Sequence, residues 1–485
     1  MPAIDLVNMR PSERIVQDDM TIAFIASGDL RDVIRTVNEL PKDYTGELTV
    51  LLNDHNPMIV ARNFALLLLL GSIENKRKAA DIAVHYWYSA LVPAMYNVHL
   101  QQMIQDVLSS SGASSVGANG SISCVMTPKS RIEGCLGTTT ITILKQCVFS
   151  PESYQAQDVR EELTRARLVN LSRDRLERQY WPLEPSHRLA FIEFRTYGLL
   201  LPFGAANSHF DYPNRLLFSP DGQWMQADKV NPLNGWHIPS LVKAGRKHGA
   251  LPMDIYGCMY FYVSDQLREF ASRLSSLRIR FKLFNLDACK LGNDLSSGVL
   301  SPYGLSDQIR FDRIDASNVM DPHYLGIEPV AKVWGPLLKH TNHATLVGHF
   351  INWVSRQRNA NPSDADIPRL MRRLVSDNRI KMSPPSSSPR VGRELTEICA
   401  QLSCNAVHDN SKAFDDYLDS QGIDYVLSTS GLKRKRKHTI VPHRLGGSFE
   451  SPSALPTFSD DKNWYLSMYI KDHLWSERYL ELAPA

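Results

Sequence analysis

The sequence is short of the features by which several functional classes are recognised. Its seven cysteines are odd in number and nowhere spaced C-x-x-C, which argues against a disulfide framework and a structural zinc site. The most apolar run, Phe64 to Leu70, is far too short for a bilayer, which takes about 20 residues to cross. The opening stretch MPAIDLVNMRPSERIVQ lacks the apolar core of a secretory signal. Lys and Arg number 54 against 51 Asp and Glu, a net charge of +3, so any polyanion-binding surface must be a local patch. These absences leave a soluble intracellular protein, expected in the cytoplasm, with no metal among its ligands.

What is present suits folded domains. The chain has 485 residues, 43% hydrophobic and 22% charged, enough for two or three domains with sizeable cores. Thr21 to Ala26 is a continuous β-prone run, as in a strand buried on both faces. Leu30, Val33, Ile34 and Val37 follow at the spacing of an amphipathic helix, which Pro41 stops. GELTVLLND then supplies a second strand, and Pro57 suits the first turn of a further helix. This order predicts a parallel βαβ unit.

The remaining texture divides the chain. Residues 1–108 read as the βαβ part of an α/β domain, and the Ser- and Gly-rich residues 109–121 as a flexible loop. Residues 122–355 read as the rest of the α/β core. They hold a long arginine-rich helix from Gln155 to Tyr180 and an irregular Pro-, Asn- and Gly-rich block from Tyr197 to Trp236. Two more strand ends are expected in IRFKLFNLDA and IRFDRIDASNV. Residues 356–485 read as a loosely structured extension with linkers and a basic segment. The fold class expected is a mostly parallel α/β sheet with helical insertions.

Glycine is scarce where a nucleotide fold would use it most. The turn SGD after the first strand has Gly28 alone of the three glycines in a dinucleotide fingerprint. Gly28 lets backbone approach a ligand; Asp29 either caps the next helix or walls a crevice. Asn53 and Asp54, at the end of the second strand, present the same pair of alternatives. Asn285 with Asp287, and Asp312 with Arg313, Asp315 and Asn318, sit at the later strand ends, where carboxylates can grip a guanidinium. His209 and Asp211 lie within HFDYPNR, as a candidate base with a neighbouring acid or as parts of a structural turn. Arg173, Arg175 and Arg178 on the arginine-rich helix, and Lys433, Arg434, Lys435, Arg436 and Lys437, form two candidate phosphate-contacting patches. Ion pairing along the helix and a solvated loop are the plain alternatives.

FIASGDLRDVIRTVNELP, followed by LTVLLNDHNPMIVARN, resembles a domain of unknown function common in fungal proteins. That domain also opens dynein axonemal assembly factors and accompanies MYND zinc fingers. LLPFGAANSHFDYPNRLLFSPDGQWMQADKVNPLNGW resembles the second block of the fungal members. The resemblance implies a Rossmann-like, methyltransferase-like fold. Members without a zinc finger resemble arginine-containing cyclodipeptide synthases, which join amino acids delivered by aminoacyl-tRNAs. For this chain it implies arginyl-tRNA and a second aminoacyl-tRNA as partners and no cofactor, since the aminoacyl ester is already activated. His209 or Asp211 becomes the expected base. Gly28, Asp29, Asn53, Asp54, Asp287, Asp312 and Asp315 become the expected substrate contacts, and the two basic patches the expected tRNA contacts. The competing expectations are an S-adenosylmethionine-dependent methyltransferase-like enzyme and a non-catalytic scaffold.

Overall fold

A computed structural model describes residues 2–8, 18–109, 115–117, 119–149, 154–166, 180, 182–219, 221–225, 231–377, 379, 403–471 and 475–485. The chain divides into two compact units, residues 1–176 with 184–309 and residues 177–183 with 310–485. Among the described residues no helix is long and apolar enough to cross a membrane.

The first unit is a mixed α/β layer. Its strands are β1 (Met20–Phe24), β2 (Glu47–Asn53), β3 (Leu91–Pro93), β4 (Ser115–Val116), β5 (Ser121–Val125), β6 (Ser130–Cys135), β7 (Phe210–Pro213) and β8 (Arg278–Phe284). β1 runs parallel to β2, with Ile22 opposite Val50, and β2 parallel to β8, with Val50 opposite Phe281. β8 is parallel to β6, and β5 and β4 complete the sheet antiparallel. β3 and β7 pair separately as a short antiparallel ribbon. The apolar runs of β1 and β2 are buried on both faces: neighbouring Ile22 and Ala23, and Val50 and Leu51, are each at most 1% exposed. Such strands must be covered by helices on both sides.

Helix α1 (Arg31–Glu39) joins β1 to β2 and buries Val33, Ile34 and Val37, the stripe legible in the sequence. Helix α2 (Pro57–Ser72) contains the apolar run, and every residue from Val60 to Gly71 is buried. A helix apolar all round belongs inside a large core. Asn56 caps it by accepting from the Met58 N–H at 2.9 Å, with Pro57 in the first turn. Helices α3 (Lys76–Tyr88), α4 (Ile238–Lys247), α5 (Ile255–Ser276) and α6 (Ala288–Ser296) follow. Because β8 arrives only at residue 278, helices and the irregular block form a long insertion between neighbouring strands β2 and β8.

The second unit differs from the sequence expectation. Its main run starts at residue 310 rather than 356, and among its described residues the later part contributes strands to a sheet, while residues 380–402, within the extension read as holding linkers, lie outside the described residues. β9 (Arg313–Asp315) is parallel to β10 (Thr345–Phe350). β12 (Arg478–Pro484) pairs antiparallel with both β10 and β11 (Leu432–Arg434). The deciding residue is Glu481 on β12, fully buried, which accepts from the backbone N–H groups of Thr439, Ile440 and Val441. Lys435 stands 3.4 Å away as its counter-ion. A buried carboxylate so satisfied organises a segment that composition alone marks as solvated loop.

Asn53, 1% exposed, ties three parallel strand ends in the first unit. Its Nδ2 donates to the carbonyls of Ile25 and Leu286, both at 2.9 Å, and its Oδ1 accepts from the Leu286 N–H at 3.0 Å. Asn285 adds a fourth strand: Nδ2 donates to the Asp54 carbonyl at 2.8 Å, and its N–H donates to the Cys135 carbonyl at 3.3 Å. Asn53→Ala leaves buried backbone groups without partners, at roughly 1–3 kcal/mol each. Urea unfolding of the variant should show a loss of about 3 kcal/mol; a loss below about 1 kcal/mol would contradict this role.

Candidate functional site

The turn between β1 and α1 is held from below. Gly28 has φ +60, and no atom lies within 4 Å of where a side chain would begin. Its N–H donates to Asp54 Oδ2 at 2.9 Å, and the Ser27 N–H donates to the Asn53 carbonyl at 2.8 Å. The other oxygen of Asp54 accepts from the Asn56 N–H at 2.9 Å. Asp54 is 5% exposed, so it clamps the two loops together. It is not the cap of α2, and each of its oxygens already serves the fold. Gly28 therefore supplies shape at the turn, while its own N–H is engaged.

Asp29 is likewise engaged. One oxygen accepts from the Arg31 N–H at 2.9 Å, and Arg31 Nε lies 2.8 Å from both oxygens. Burial opposes the charge on Arg31 most strongly, but the charges of Asp29 and Asp32 and the hydrogen bond to Asp29 are among the contributions that together hold the guanidinium above its ordinary range. The carboxylate read as a wall for a substrate cation thus already holds the chain's own arginine.

The residues that give the crevice unused chemistry were not singled out in the sequence. Arg62 on α2 is 7% exposed, and its Nε has no hydrogen-bond partner. Among the described residues it makes no ion pair. Burial pushes its guanidinium down, while the charges of Asp29 and Asp54 pull it back up. Arg62 thus faces the acids of the turn without bonding to either. Its neighbour Asn63 donates to Ser27 Oγ at 3.3 Å, and Asn63 Oδ1 is also unpartnered. Tyr88, at the end of α3, accepts from Trp236 Nε1 at 3.0 Å and stacks on Trp87. Among the described residues its hydroxyl donates to none. Burial, reinforced by Asp29, raises the Tyr88 pKa and keeps the phenol protonated. A cation and a phenol O–H with no internal acceptor are suited to an oxygen-bearing ligand. The signal was a lone arginine inside the apolar stretch NPMIVARNFALLLLL.

The other expected positions separate. Asp287 is exposed and caps α6, accepting from the N–H groups of Cys289 and Lys290 at 2.9 and 3.0 Å. Asp312 and Asp315 belong to the second unit. There Asp312 pairs with Lys339 at 2.6 Å, and Asp315 accepts from the Ser317 N–H at 2.8 Å. His209 and Asp211 are both exposed beside and on β7 and share no hydrogen bond. The buried part of HFDYPNR is structural: Asn214 Nδ2 donates to the carbonyls of His85, Tyr86 and Ser89. Arg173, Arg175 and Arg178 lie outside the described residues. Of the second basic patch, Arg434 pairs with Asp415, Lys435 with Glu481 and Lys437 with Glu450. Lys433 and Arg436 remain exposed without ion pairs among the described residues.

Beneath β7, His85 is buried between Phe210 and Tyr260, and Nδ1 lies 3.0 Å from Ser89 Oγ. Burial pushes its pKa down to about 4, against the pull of Asp81. The unfolded chain takes up this proton near pH 6.5, the folded chain only near pH 4. Between those values the unfolded state binds more protons, so stability falls as pH falls. Unfolding free energies at pH 7 and pH 5 should differ less in His85→Phe than in the parent. Equal differences would show that His85 is not held neutral by the fold.

Residues 1–92 match the family described as Domain of unknown function (DUF4470). No curated protein matches the chain, and no solved structure does. The matched segment carries β1, α1, β2, α2 and α3, and with them Gly28, Asp29, Asp54, Arg62 and Tyr88. What is similar to that family is therefore the part of the chain that holds the turns after β1 and β2.

Proposed function

We propose that the crevice at the ends of β1 and β2 is an acyl-transfer site that takes amino acids from aminoacyl-tRNAs and forms a cyclic arginine-Xaa dipeptide. The observation that carries the acyl-transfer part is Arg62, a buried guanidinium that makes no hydrogen bond or ion pair among the described residues and feels the charges of Asp29 and Asp54 at the turn around Gly28. The resemblance to arginine-containing cyclodipeptide synthases supports the substrates and the product. A Rossmann-like reading of the first unit fits this placement, since open α/β sheets bind ligands beyond the carboxyl ends of their strands.

The chemistry balances without a cofactor. The α-amine of one aminoacyl group attacks the ester carbonyl of the other. An amide forms, the ester C–O bond breaks, and the departing tRNA hydroxyl recovers the amine proton. The second amine repeats the attack on the remaining ester and closes the ring. Two esters become two amides, and two tRNAs leave. Each attack places negative charge on a carbonyl oxygen, which the Arg62 guanidinium and the Tyr88 hydroxyl are suited to receive. With Asp29 held by Arg31, selection of the substrate arginine requires a further acceptor.

Methyl transfer fits less well. An acid at the end of the second strand ordinarily binds ribose hydroxyls. Here each oxygen of Asp54 already accepts a backbone N–H, and the residue is 5% exposed.

Mass spectrometry of extracts from an expressing host, against an empty-vector control, should show a cyclic arginine-containing dipeptide. In vitro formation of that product should stop on addition of ribonuclease. Absence of the product, or product formation that ribonuclease does not affect, contradicts the proposal. Replacing a buried unpaired charge with an apolar chain of similar length is often neutral or stabilising. Arg62→Met should therefore keep or raise the thermal midpoint while lowering the rate about 100-fold or more, as expected for loss of an oxyanion donor. An unchanged rate in that variant removes Arg62 from the site.

A further inference from the structure

An opening lies on the first unit, with Asp81 and Tyr260, the neighbours of His85, among the residues that line it. It has a volume of about 560 Å³ and is lined by the first turns of α3, by one face of α5, and by His248 just after α4. That volume is within the range that holds small ligands.

Its chemistry is cationic at the mouth. Arg77 and Lys78 come from α3, Arg268 from α5, and His248 closes one side. Arg77 is exposed and has no ion pair among the described residues. Lys78 Nζ is set against His99 Nε2, and burial together with Lys78 pushes the His99 pKa down. Arg268 bonds Asp265 through Nη2 at 2.7 Å, but its Nε is buried with no acceptor. On the acidic side Asp81 lines the opening and is occupied by the hydroxyls of Tyr96 and Tyr260. Asp265 serves both Arg268 and His248, the latter at 2.8 Å. The donors exceed the acceptors available to them.

The helix itself disfavours this arrangement. The first turn of α3 contains Lys76, Arg77 and Lys78 and no acid, although the N-terminal end of a helix carries partial positive charge. Three cations there repel the helix dipole and one another. A bound anion resolves the conflict by accepting from the charged groups of Arg77, Lys78 and Arg268 that line the opening. Beside them the His248 and Phe261 rings stack, 4.9 Å apart and 9° from parallel. Cations next to a stacked aromatic pair suit a phosphate joined to a planar base.

We infer that this opening binds a nucleotide, its phosphate held by Arg77, Lys78 and Arg268 and its base laid on the His248–Phe261 stack. The ligand is a free mononucleotide or one residue of a single strand, and both present the same phosphate and base. The site is separate from the acyl crevice, and binding is read without reference to turnover.

The test uses the full chain and fluorescence anisotropy of a 5′-labelled eight-nucleotide RNA, with AMP and inorganic phosphate as competitors. Binding at 50 mM salt should weaken on raising salt to 200 mM. Arg77→Ala should weaken it about tenfold, and Arg77→Glu further, with the thermal midpoint kept or raised because the Arg77 side chain bonds nothing among the described residues and its loss relieves the repulsion at the start of α3. Competition by AMP identifies a free nucleotide as a sufficient ligand; RNA binding that AMP does not displace identifies the strand. The inference is overturned if neither RNA nor AMP binds at 50 mM salt. It is also overturned if Arg77→Glu binds as the parent does, or if inorganic phosphate competes as well as AMP while His248→Ala changes nothing.

Discussion

The first unit depends on one buried amide and the carboxylate beside it. Asn53 joins the ends of β1, β2 and the segment after β8, and Asp54 holds the turn at Gly28 against the start of α2. Parallel strands leave their carboxyl ends with backbone groups that no neighbouring strand satisfies, and these two side chains satisfy them. Beside them, among the described residues, Arg62 makes no hydrogen bond or ion pair, and the Tyr88 hydroxyl accepts from Trp236 Nε1 but donates to none.

That division explains which parts of the site were legible. The strand, helix, strand order and the positions of Gly28, Asp29, Asn53 and Asp54 follow from periodicity and punctuation, because backbone burial imposes a pattern every few residues. Whether those acids cap, clamp or bind does not follow, since all three uses need the same residue at a strand end. Asp287 proved a cap, Asp54 a clamp and Asp29 the partner of Arg31. Arg62 sits in a stretch whose apolar pattern marks a buried helix but does not tell what a single arginine within it bonds. Tyr88 and Trp236 meet through tertiary packing over a sequence separation of 148 residues, which no local pattern records.

In the second unit, linker-like composition after residue 355 predicts looseness, yet Glu481 gathers the loop at Thr439 to Val441 and β12 pairs with strands on both sides. One buried carboxylate, far along the chain, outweighs local polarity. The same interaction draws Lys435 inward, so a basic run that reads as one patch is divided between structural ion pairs and exposed side chains.

The central claim is that Arg62 stands unbonded in the free protein and bonds the carbonyl oxygen of an acyl ligand. Nitrogen-detected NMR of arginine side chains reads this directly, with the Arg62 Nε–H signal assigned by its loss in Arg62→Met. Addition of a non-hydrolysable amide analogue of aminoacyl-adenosine should shift that signal and slow its exchange with water. An Arg62 signal that stays unmoved while the analogue saturates the protein would contradict the account.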